Sequence, residues 1–352
     1  MKVAYISDVP WFLGFGGREV QMLKYAEYLS KNYGVEVIFP SYFEKNIDEG
    51  IKLFHFFGYS NWYSGIVPLL KNKRNVKILI SPTLYRENIF ILKLAKYYSR
   101  FCFIPNYFSY KKTIFQFCDR IIANSKSESV CLQQLFNIPK KKITVVYNAI
   151  DKNFDNLRQE DTDSFLKVFS VEPGYILSVS AITERKNTLN SIKSYLTLST
   201  QINKKFIIIG DFQCTKAEYK KQIEKLINNN RDKILHIPYL SPSSPLLKSA
   251  YLNCAIHLLP SFVETPGLSN LETALFNKPI VAGDCRPVRE YFQNYISYCN
   301  PNSIKDIYEK ILYALNTPIN PELSSFIRNN FTWNVVVDEL YKTYQRILEN
   351  NA

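Results

Sequence analysis

The chain has 352 residues and a hydrophobic content of 46%, which excludes a disordered protein and predicts two domains of roughly 150 to 200 residues each. No apolar run reaches the roughly 18 residues that a transmembrane helix requires, and the opening MKVAYISDVPWF predicts a first β-strand rather than a signal peptide. The seven cysteines are scattered without a CxxC pair, which is typical of reduced core residues in a cytosolic protein.

The net charge of +13 is unevenly distributed along the chain. Residues 1–155 include 22 basic and 12 acidic residues, whereas residues 156–352 include 22 and 19. This asymmetry indicates an anionic partner for the first half, which would be a nucleic acid, a membrane or a phosphorylated substrate. A lysine-rich composition inherited from an AT-rich genome explains the same excess without any partner.

Short apolar runs rich in β-forming residues alternate with helical patterns along the whole chain. Their continuous character is typical of parallel sheets that are buried on both faces. The first half has such runs at 3–7, 35–40, 51–57, 76–80, 101–105, 120–125 and 143–148, and the second half at 175–180, 205–210, 234–240, 255–260, 279–284 and 296–299. Helices are predicted at 18–32, 126–137, 216–229 and 269–277. Since β and α segments alternate, the sequence predicts an α/β protein with two doubly wound parallel sheets.

Two loops that follow predicted strands suit the binding of phosphate groups. The first, WFLGFGGRE, includes Gly16 and Gly17 and leads into a helix, so bare amides and a positive helix end would meet an anion there. The second includes Arg185 beside Lys186, a pair of cations that suits a diphosphate. Each loop also has a plain structural explanation, as a flexible helix-capping turn and as a solvated loop.

The polar, strand-poor segment 151–174 predicts the boundary between the two domains. It ends in Pro173-Gly174 and includes the triplet Asp161-Thr162-Asp163. A DxD triplet chelates a metal for glycosyl transfer in another fold class. Because no strand leads into this one and its neighbours are polar, we interpret it as part of a solvated linker.

The stretch VETPGLSNLETA places two carboxylates around the start of a helix. Glu264 precedes the helix and Glu272 lies in its first turns, with Pro266 and Gly267 between them. The amides of residues 267–269 would face a ligand at the sheet edge, and ionised carboxylates bind sugar hydroxyls strongly. Either glutamate alone is explained by the helix dipole, whereas the pair indicates a sugar-nucleotide site.

Together these segments resemble glycosyltransferase family 4, whose architecture is called GT-B. The resemblance spans nearly the whole chain and rests on GFGGRE, IIANS, VVYNAID, ITERKN, the EX7E stretch LLPSFVETPGLSNLETALFNKPIVAGD and the terminal FTW…Y…Y helix. It implies two Rossmann-like domains that face each other across a cleft. We expect an acceptor-binding domain at 1–155, a linker at 156–173, a domain for the nucleotide-sugar at 174–328 and a helix at 329–352 that crosses back to the first domain.

The resemblance also implies a retaining, metal-independent transfer of a sugar from a nucleotide-diphosphate sugar, with no cofactor. Arg185 and Lys186 would neutralise the leaving diphosphate, Glu264 would face the sugar, and Glu272 would bind the ribose. The remaining donor-binding residues implied by the family pattern are Gly16, Gly17, Tyr239, Leu240, Gly267, Leu268 and Ser269.

The sequence departs from the family pattern in three places. The Gly-Arg pair that often follows the phosphate strand is Ser180-Ala181 here, and the usual Asn-Gly after 145–147 is Asn148-Ala149. Many members also place a histidine on the acceptor side, after the strand that here reads FCFIP. None of the three histidines falls there, and Asn106 occupies that place. His257 lies inside a predicted strand, where we expect a core residue.

Aromatic and basic residues are interleaved in the first half, as in YRENIFILKLAKYYSR at 85–100. Such a helix would rest on an anionic inner membrane leaflet, or it would be a core helix with snorkelling lysines. We therefore expect a cytoplasmic, peripherally membrane-associated transferase of bacterial surface polysaccharide synthesis, with a saccharide or lipid-linked acceptor and no nucleic acid. The alternatives are a catalytically silent GT-B scaffold for a partner transferase and a sugar-nucleotide epimerase, for which the shortage of histidines is unfavourable.

Overall fold

The computed structural model describes residues 1–9, 16–41, 47–74, 76–86, 89–99 and 106–349. The chain forms two compact units, Met1–Ala149 with Phe331–Ala352 and Ile150–Asn330. Within the described residues the α-helices are α1 Gly17–Tyr33, α2 Tyr63–Arg74, α3 Phe90–Ser99, α4 Tyr107–Phe117, α5 Lys126–Phe136, α6 Ser164–Phe169, α7 Thr188–Leu198, α8 Ala217–Asn228, α9 Pro245–Asn253, α10 Leu268–Leu275, α11 Arg286–Phe292, α12 Ile304–Asn316, α13 Leu323–Asn330 and α14 Trp333–Glu349.

The first unit is built on a six-stranded parallel sheet in the order β2-β1-β3-β4-β5-β6. Its strands are β1 Lys2–Ser7, β2 Glu36–Ile38, β3 Leu53–Phe57, β4 Lys77–Ser81, β5 Arg120–Ala123 and β6 Ile143–Val145. Every residue of β3 is buried, as expected for a strand covered on both faces. The predicted strand at 101–105 lies outside the described residues.

The second unit repeats the arrangement with the order β12-β11-β10-β7-β8-β9, again all parallel. Its strands are β7 Tyr175–Val179, β8 Phe206–Ile209, β9 Ile234–Ile237, β10 Cys254–Leu259, β11 Ile280–Gly283 and β12 Ser297–Cys299. The prediction of two doubly wound parallel sheets is therefore confirmed. In such sheets the loops at the carboxyl ends of the strands share one edge, and ligands bind there.

Helix α14 belongs to the first unit although it follows the second in sequence. Trp333 is buried in the core beside α1, and the rings of Tyr33 and Tyr341 stack at 4.0 Å between centroids. Below them Tyr344 Oη lies 2.7 Å from His55 Nδ1 and 3.0 Å from Tyr5 Oη. Both aromatic packing and buried hydrogen bonds therefore connect this helix to the sheet.

The segment that we expected to be a linker, 156–173, is a folded part of the second unit. It includes α6, whose Phe165 is fully buried, and Thr162 O accepts hydrogen bonds from Ser249 Oγ at 2.8 Å and Asn253 Nδ2 at 2.7 Å. The carboxylates of Asp161 and Asp163 form ion pairs with Arg158 and Lys167. Composition alone could not show these contacts, because the partners on α9 lie more than eighty residues away.

The six described cysteines form no disulfide. In the described part of the chain no helix is both long enough and apolar enough to cross a bilayer.

Candidate functional site

The loops at 180–187 and 260–267 meet at the carboxyl edge of the second sheet. They follow β7 and β10, which are paired in parallel at the centre of that sheet. Phe262 N donates to Arg185 O at 3.0 Å, and Asn187 Nδ2 donates to Pro260 O at 3.1 Å. Backbone and side-chain bonds thus fasten the two loops to each other.

A shielded ion pair between Lys186 and Glu264 forms the centre of the site. Lys186 Nζ donates to Glu264 Oε2, and the two side chains are only 13% and 11% exposed. Arg185 is half exposed and lies on the rim, where its guanidinium donates to Val263 O at 2.9 Å and approaches Glu264 Oε2 at 3.4 Å. Two cations therefore share one carboxylate.

The electrostatics of this cluster favour the ionised form of Glu264. Burial by itself raises the pKa of this carboxyl, but the positive charges of Lys186 and Arg185 outweigh burial, and the pKa lies below its ordinary value. For Lys186, burial lowers the pKa, while Glu264 raises it and Arg185 lowers it again. The net positive charge of the cluster suits a ligand with more than one negative charge.

The turn before α10 presents amide donors beside this cluster. Gly267 precedes the helix with φ +84°, and no side chain caps the helix start. Within the described residues, the N–H groups of residues 267–269 have no acceptor. A Cβ at residue 267 would lie 3.1 Å from Glu264 Cγ and 3.2 Å from Leu259 Cδ2. The positive φ therefore favours glycine, and a larger residue would also press on both neighbouring side chains.

Glu272 lies on α10 in a different environment from Glu264. It is buried and accepts a hydrogen bond of 2.5 Å from Tyr251 Oη. Burial raises the pKa of its carboxyl to about 7, although the bond from Tyr251 lowers it in part. The second glutamate of the motif is therefore held by a tyrosine on α9, a partner that no sequence motif indicates.

Tyr239 and Leu240 follow β9 at the same edge of the sheet. Tyr239 N donates to Asp211 Oδ1 at 3.1 Å, and its side chain is 56% exposed. Burial, and then the negative charges of Glu272 and Asp211, raise the pKa of Tyr239. This electrostatic coupling indicates that the exposed ring of Tyr239 and the carboxylate of Glu272 lie in the same region of the unit.

In the first unit, Gly16 and Gly17 lie at the start of α1, next to the carboxyl end of β1. Gly16 N donates to Glu19 Oε2 at 3.0 Å, and Arg18 lies between Glu19 and Asp8, at 2.8 Å and 2.7 Å. The part of the glycine-rich loop at 11–15 is outside the described residues. Sequence reasoning missed this Asp8–Arg18–Glu19 network, because its members have no motif spacing.

Asn106, the residue expected on the acceptor side, caps helix α4. Its Oδ1 accepts hydrogen bonds from Phe108 N at 3.0 Å and Ser109 N at 3.2 Å, which is the ordinary role of an N-cap asparagine. The structure thus gives Asn106 a structural role, and an acceptor-side role stays a prediction.

Comparison with known families and structures agrees with the fold. The family model described as "Glycosyl transferases group 1" matches residues 159–333, and the model described as "Glycosyltransferase Family 4" matches residues 16–154. A curated relative, the O-antigen chain mannosyltransferase RfbU of Salmonella typhimurium, is 23% identical over 241 residues, which is 68% of this chain. The alignment spans 60% of that relative's length.

Two solved structures resemble nearly the whole chain. A glycosyltransferase from Rickettsia africae has 18% identity and a TM-score of 0.74, with 99% of this chain and 98% of that chain covered. Anabaena Alr3699/HepE in complex with UDP-glucose has 13% identity and a TM-score of 0.74, with 98% and 100% covered.

Two Rossmann-like units, each built on a six-stranded parallel sheet and matched by these structures over nearly their whole length, define the GT-B fold class. Within that class, the two family models together cover most of the chain. The chain belongs to glycosyltransferase family 4.

Proposed function

We propose that the protein is a retaining, metal-independent glycosyltransferase that moves a sugar from a nucleotide-diphosphate sugar to a saccharide or lipid-linked acceptor. The observation that carries the proposal is the shielded cluster of Lys186, Arg185 and Glu264 beside the uncapped start of α10. The names of the relatives, an O-antigen mannosyltransferase and a protein bound to UDP-glucose, support a role in bacterial surface polysaccharide synthesis and a nucleotide-sugar donor.

The chemistry that this cluster suits is the departure of a diphosphate. When the bond between the sugar and the phosphate breaks, negative charge accumulates on the leaving diphosphate. Arg185 and Lys186 would stabilise that charge together with the amides of residues 267–269, since donors that are already oriented need little reorganisation. This set of charges would perform the task that a divalent cation performs in other transferases, which is why we propose metal independence.

The donor would be oriented by the groups around this centre. Glu264, ionised and next to the cations, would accept hydrogen bonds from the sugar hydroxyls. Glu272 would accept hydrogen bonds from the ribose, and the segment of Tyr239 and Leu240 would flank the base. Because Lys186 is paired with Glu264, we expect the diphosphate to draw Lys186 toward itself and to release Glu264 for the sugar.

We also propose that the first unit contacts an anionic membrane surface through α3. This helix exposes Phe90, Leu94, Tyr97 and Tyr98 at 65%, 44%, 55% and 68%, and Lys93 is exposed on the same helix. Aromatic and basic residues in this combination suit the interface of an anionic leaflet, and the location would then be the cytoplasmic face of the membrane.

The membrane contact is tested by sedimentation with vesicles. The triple variant Phe90→Ser, Leu94→Ser, Tyr98→Ser should lose binding to vesicles rich in phosphatidylglycerol. The control Tyr313→Ser, which removes an aromatic ring exposed at 58% in the second unit, should bind like the wild type. Equal binding by both variants would remove α3 from the proposal.

The donor site is tested by thermal shift with UDP, GDP, ADP, CMP and their common sugar conjugates. A ligand at about a hundred times its dissociation constant adds roughly 2.7 kcal/mol to the free energy of unfolding. We expect one diphosphate to raise the melting temperature of the wild type and to have little effect on Lys186→Ala. The control Lys71→Ala removes another lysine that pairs with a carboxylate, Asp119 in the first unit, and should keep the ligand response.

A protein that responds to none of these nucleotides would refute the proposed transferase. The interpretation as a silent GT-B scaffold would then be favoured, and a Glu264→Ala protein that still supports glycan assembly in cells would establish it.

A further inference from the structure

We infer that His257 and Asn270 are positioning residues that hold the turn between Glu264 and Glu272 in its ligand-binding shape. The inference rests on the proposed donor site and adds to it two residues that never need to touch the donor. Both residues are fully buried, with 0% of their surface exposed. They form the middle of a hydrogen-bonded chain that runs from Val179 to Pro266, which we call the buried relay.

The direction of each bond in the buried relay follows from its first donor. Val179 N lies 3.3 Å from His257 Nε2, and a backbone N–H can only donate, so Nε2 is the unprotonated nitrogen. The proton is then on Nδ1, which donates to Asn270 Oδ1 at 3.1 Å. Asn270 Nδ2 donates in turn to Pro266 O at 3.1 Å. One tautomer of His257 and one orientation of the Asn270 amide satisfy every bond.

The environment keeps His257 in the neutral form that this arrangement needs. Burial lowers the pKa of the imidazole to about 3, the bond with Asn270 acts in the opposite direction, and the positive charge of Lys186 lowers the pKa further. A protonated ring would carry hydrogen on both nitrogens and would clash electrostatically with the Val179 N–H. The imidazole therefore acts as a rigid two-ended connector rather than as an acid or base.

The two ends of the buried relay lie at the two loops of the site. Val179 is the last residue of β7, directly before the loop that carries Arg185 and Lys186. Pro266 precedes Gly267, whose left-handed backbone begins α10. The relay thus ties the strand under the cations to the turn that presents the amides of residues 267–269.

Loss of the relay would leave the buried Pro266 O and the partly buried Val179 N–H without these partners. The turn would then relax toward other hydrogen-bond donors, which would move Glu264 and the amide groups relative to Lys186. Because positioned groups bind and stabilise charge only in their correct place, the expected effect is weaker binding of the donor together with slower turnover.

The first test measures dissociation constants for UDP and GDP by calorimetry. For His257→Leu, which removes both hydrogen bonds, we expect roughly tenfold weaker binding of the nucleotide that the wild type prefers, or a larger loss. His257→Asn keeps an amide donor near the position of Nδ1 and should recover part of the affinity. With the sugar conjugate of that nucleotide as donor, kcat should fall and KM should rise from the wild type to His257→Asn and further to His257→Leu.

The matched control is His55→Leu in the first unit. His55 is also fully buried in a strand and has two hydrogen-bond partners, Tyr344 Oη at 2.7 Å and Ser81 Oγ at 2.8 Å. Its loss should lower the melting temperature about as much as the loss of His257 in the second unit, yet leave the nucleotide affinity unchanged. A purely structural role for His257 predicts the same unchanged affinity for both variants.

A second readout uses the wild type and stays valid if His257→Leu does not fold. Nitrogen NMR of the imidazole should show the neutral tautomer with hydrogen on Nδ1 from mildly basic to mildly acidic pH, and the same tautomer with bound nucleotide. An Nε2-protonated or charged ring would overturn the relay. Unchanged nucleotide affinity in both His257 variants would overturn the positioning role, whereas a wild type that binds no nucleotide would refute the proposed donor site itself.

Discussion

Substitution of Glu272 by glutamine should stabilise the protein at neutral and basic pH while it impairs the proposed function. The folded-state pKa of Glu272 is raised from 4.5 to about 7, so ionisation of this buried carboxyl opposes folding. A difference of about 2.5 in pKa corresponds to about 3 kcal/mol. Glutamine keeps an oxygen that can accept the bond from Tyr251 and removes the charge.

The pH dependence of this gain in stability follows from the two pKa values of Glu272, 4.5 for the ordinary carboxyl and about 7 for the folded state. Above about pH 7 the carboxyl is ionised in both the folded and the unfolded states, and the full penalty is present. As the pH falls from about 7 to about 4.5, the folded state takes up a proton before the unfolded state does, so the penalty disappears. The gain from Glu272→Gln should therefore be about 3 kcal/mol at about pH 8 and close to zero at about pH 4.5.

Urea unfolding of the wild type and Glu272→Gln across this pH range measures the gain. In a thermal scan the transition of the second unit should rise by roughly 2–4 °C for each kcal/mol. The prediction fails if Glu272→Gln is less stable than the wild type in mildly basic buffer, or if its gain in stability does not change with pH. Either result would show that ionisation of the buried Glu272 carboxyl does not destabilise the folded state.

Glu264, the other glutamate of the motif, serves as a control because the same substitution there should lower stability. The pKa of Glu264 is lowered from 4.5 because Lys186 and Arg185 outweigh its burial. Its ionised form therefore stabilises the fold at any pH above the ordinary pKa of 4.5. This stabilisation is lost as the pH falls below 4.5 and through the lower pKa of the folded state. Glu264→Gln leaves Lys186 shielded without its counter-charge and should cost about 3 kcal/mol at neutral pH. The two substitutions are chemically identical, yet the structure predicts opposite effects on stability.

Three further predictions concern single contacts. Gly267→Ala should lower the free energy of unfolding by about 1–3 kcal/mol and reduce nucleotide binding, because φ is +84° and the Cβ would meet Glu264. The control is Gly65→Ala in α2, which has open space around it. It should be neutral or stabilising in the same urea titration. Tyr251→Phe should raise the pKa of Glu272 and move the midpoint of the pH dependence of nucleotide affinity upward by about one unit; an unchanged midpoint would show that the bond does not act on Glu272. Tyr344→Phe should destabilise the first unit by about 1–3 kcal/mol, since His55 and Tyr5 each lose a hydrogen bond. An unchanged free energy of unfolding in this variant would contradict the prediction.

Local patterns in the sequence were sufficient to predict the two sheets and the loops at their edges. Parallel strands buried on both faces are recognisable from continuous apolar runs, and the place of Arg185, Lys186 and Glu264 follows once each strand end is known. Side chains that meet across elements were not predictable in this way. Tyr251 lies on α9 and Glu272 on α10, and the choice of partner depends on how two helices pack.

The two buried histidines illustrate the same limit. A histidine inside an apolar strand suggests a core residue, and both His55 and His257 are indeed in the core. What the sequence does not show is that each ring is fully hydrogen-bonded, the first to a tyrosine almost three hundred residues later and the second to an asparagine thirteen residues later. The folded 156–173 segment was missed for the same reason, because a polar composition does not exclude burial of Phe165 against α9.

Helix α14 has a consequence for the order in which the chain folds. The core of the first unit includes residues from Val3 to Ile347, whereas the second unit is one continuous stretch, Ile150–Asn330. On a ribosome, the second unit is therefore complete while the first still lacks the helix that covers Tyr5 and His55. Domains generally fold as units during synthesis, so the second unit should reach its native state first, and the first should remain an open, apolar intermediate until the last helix emerges.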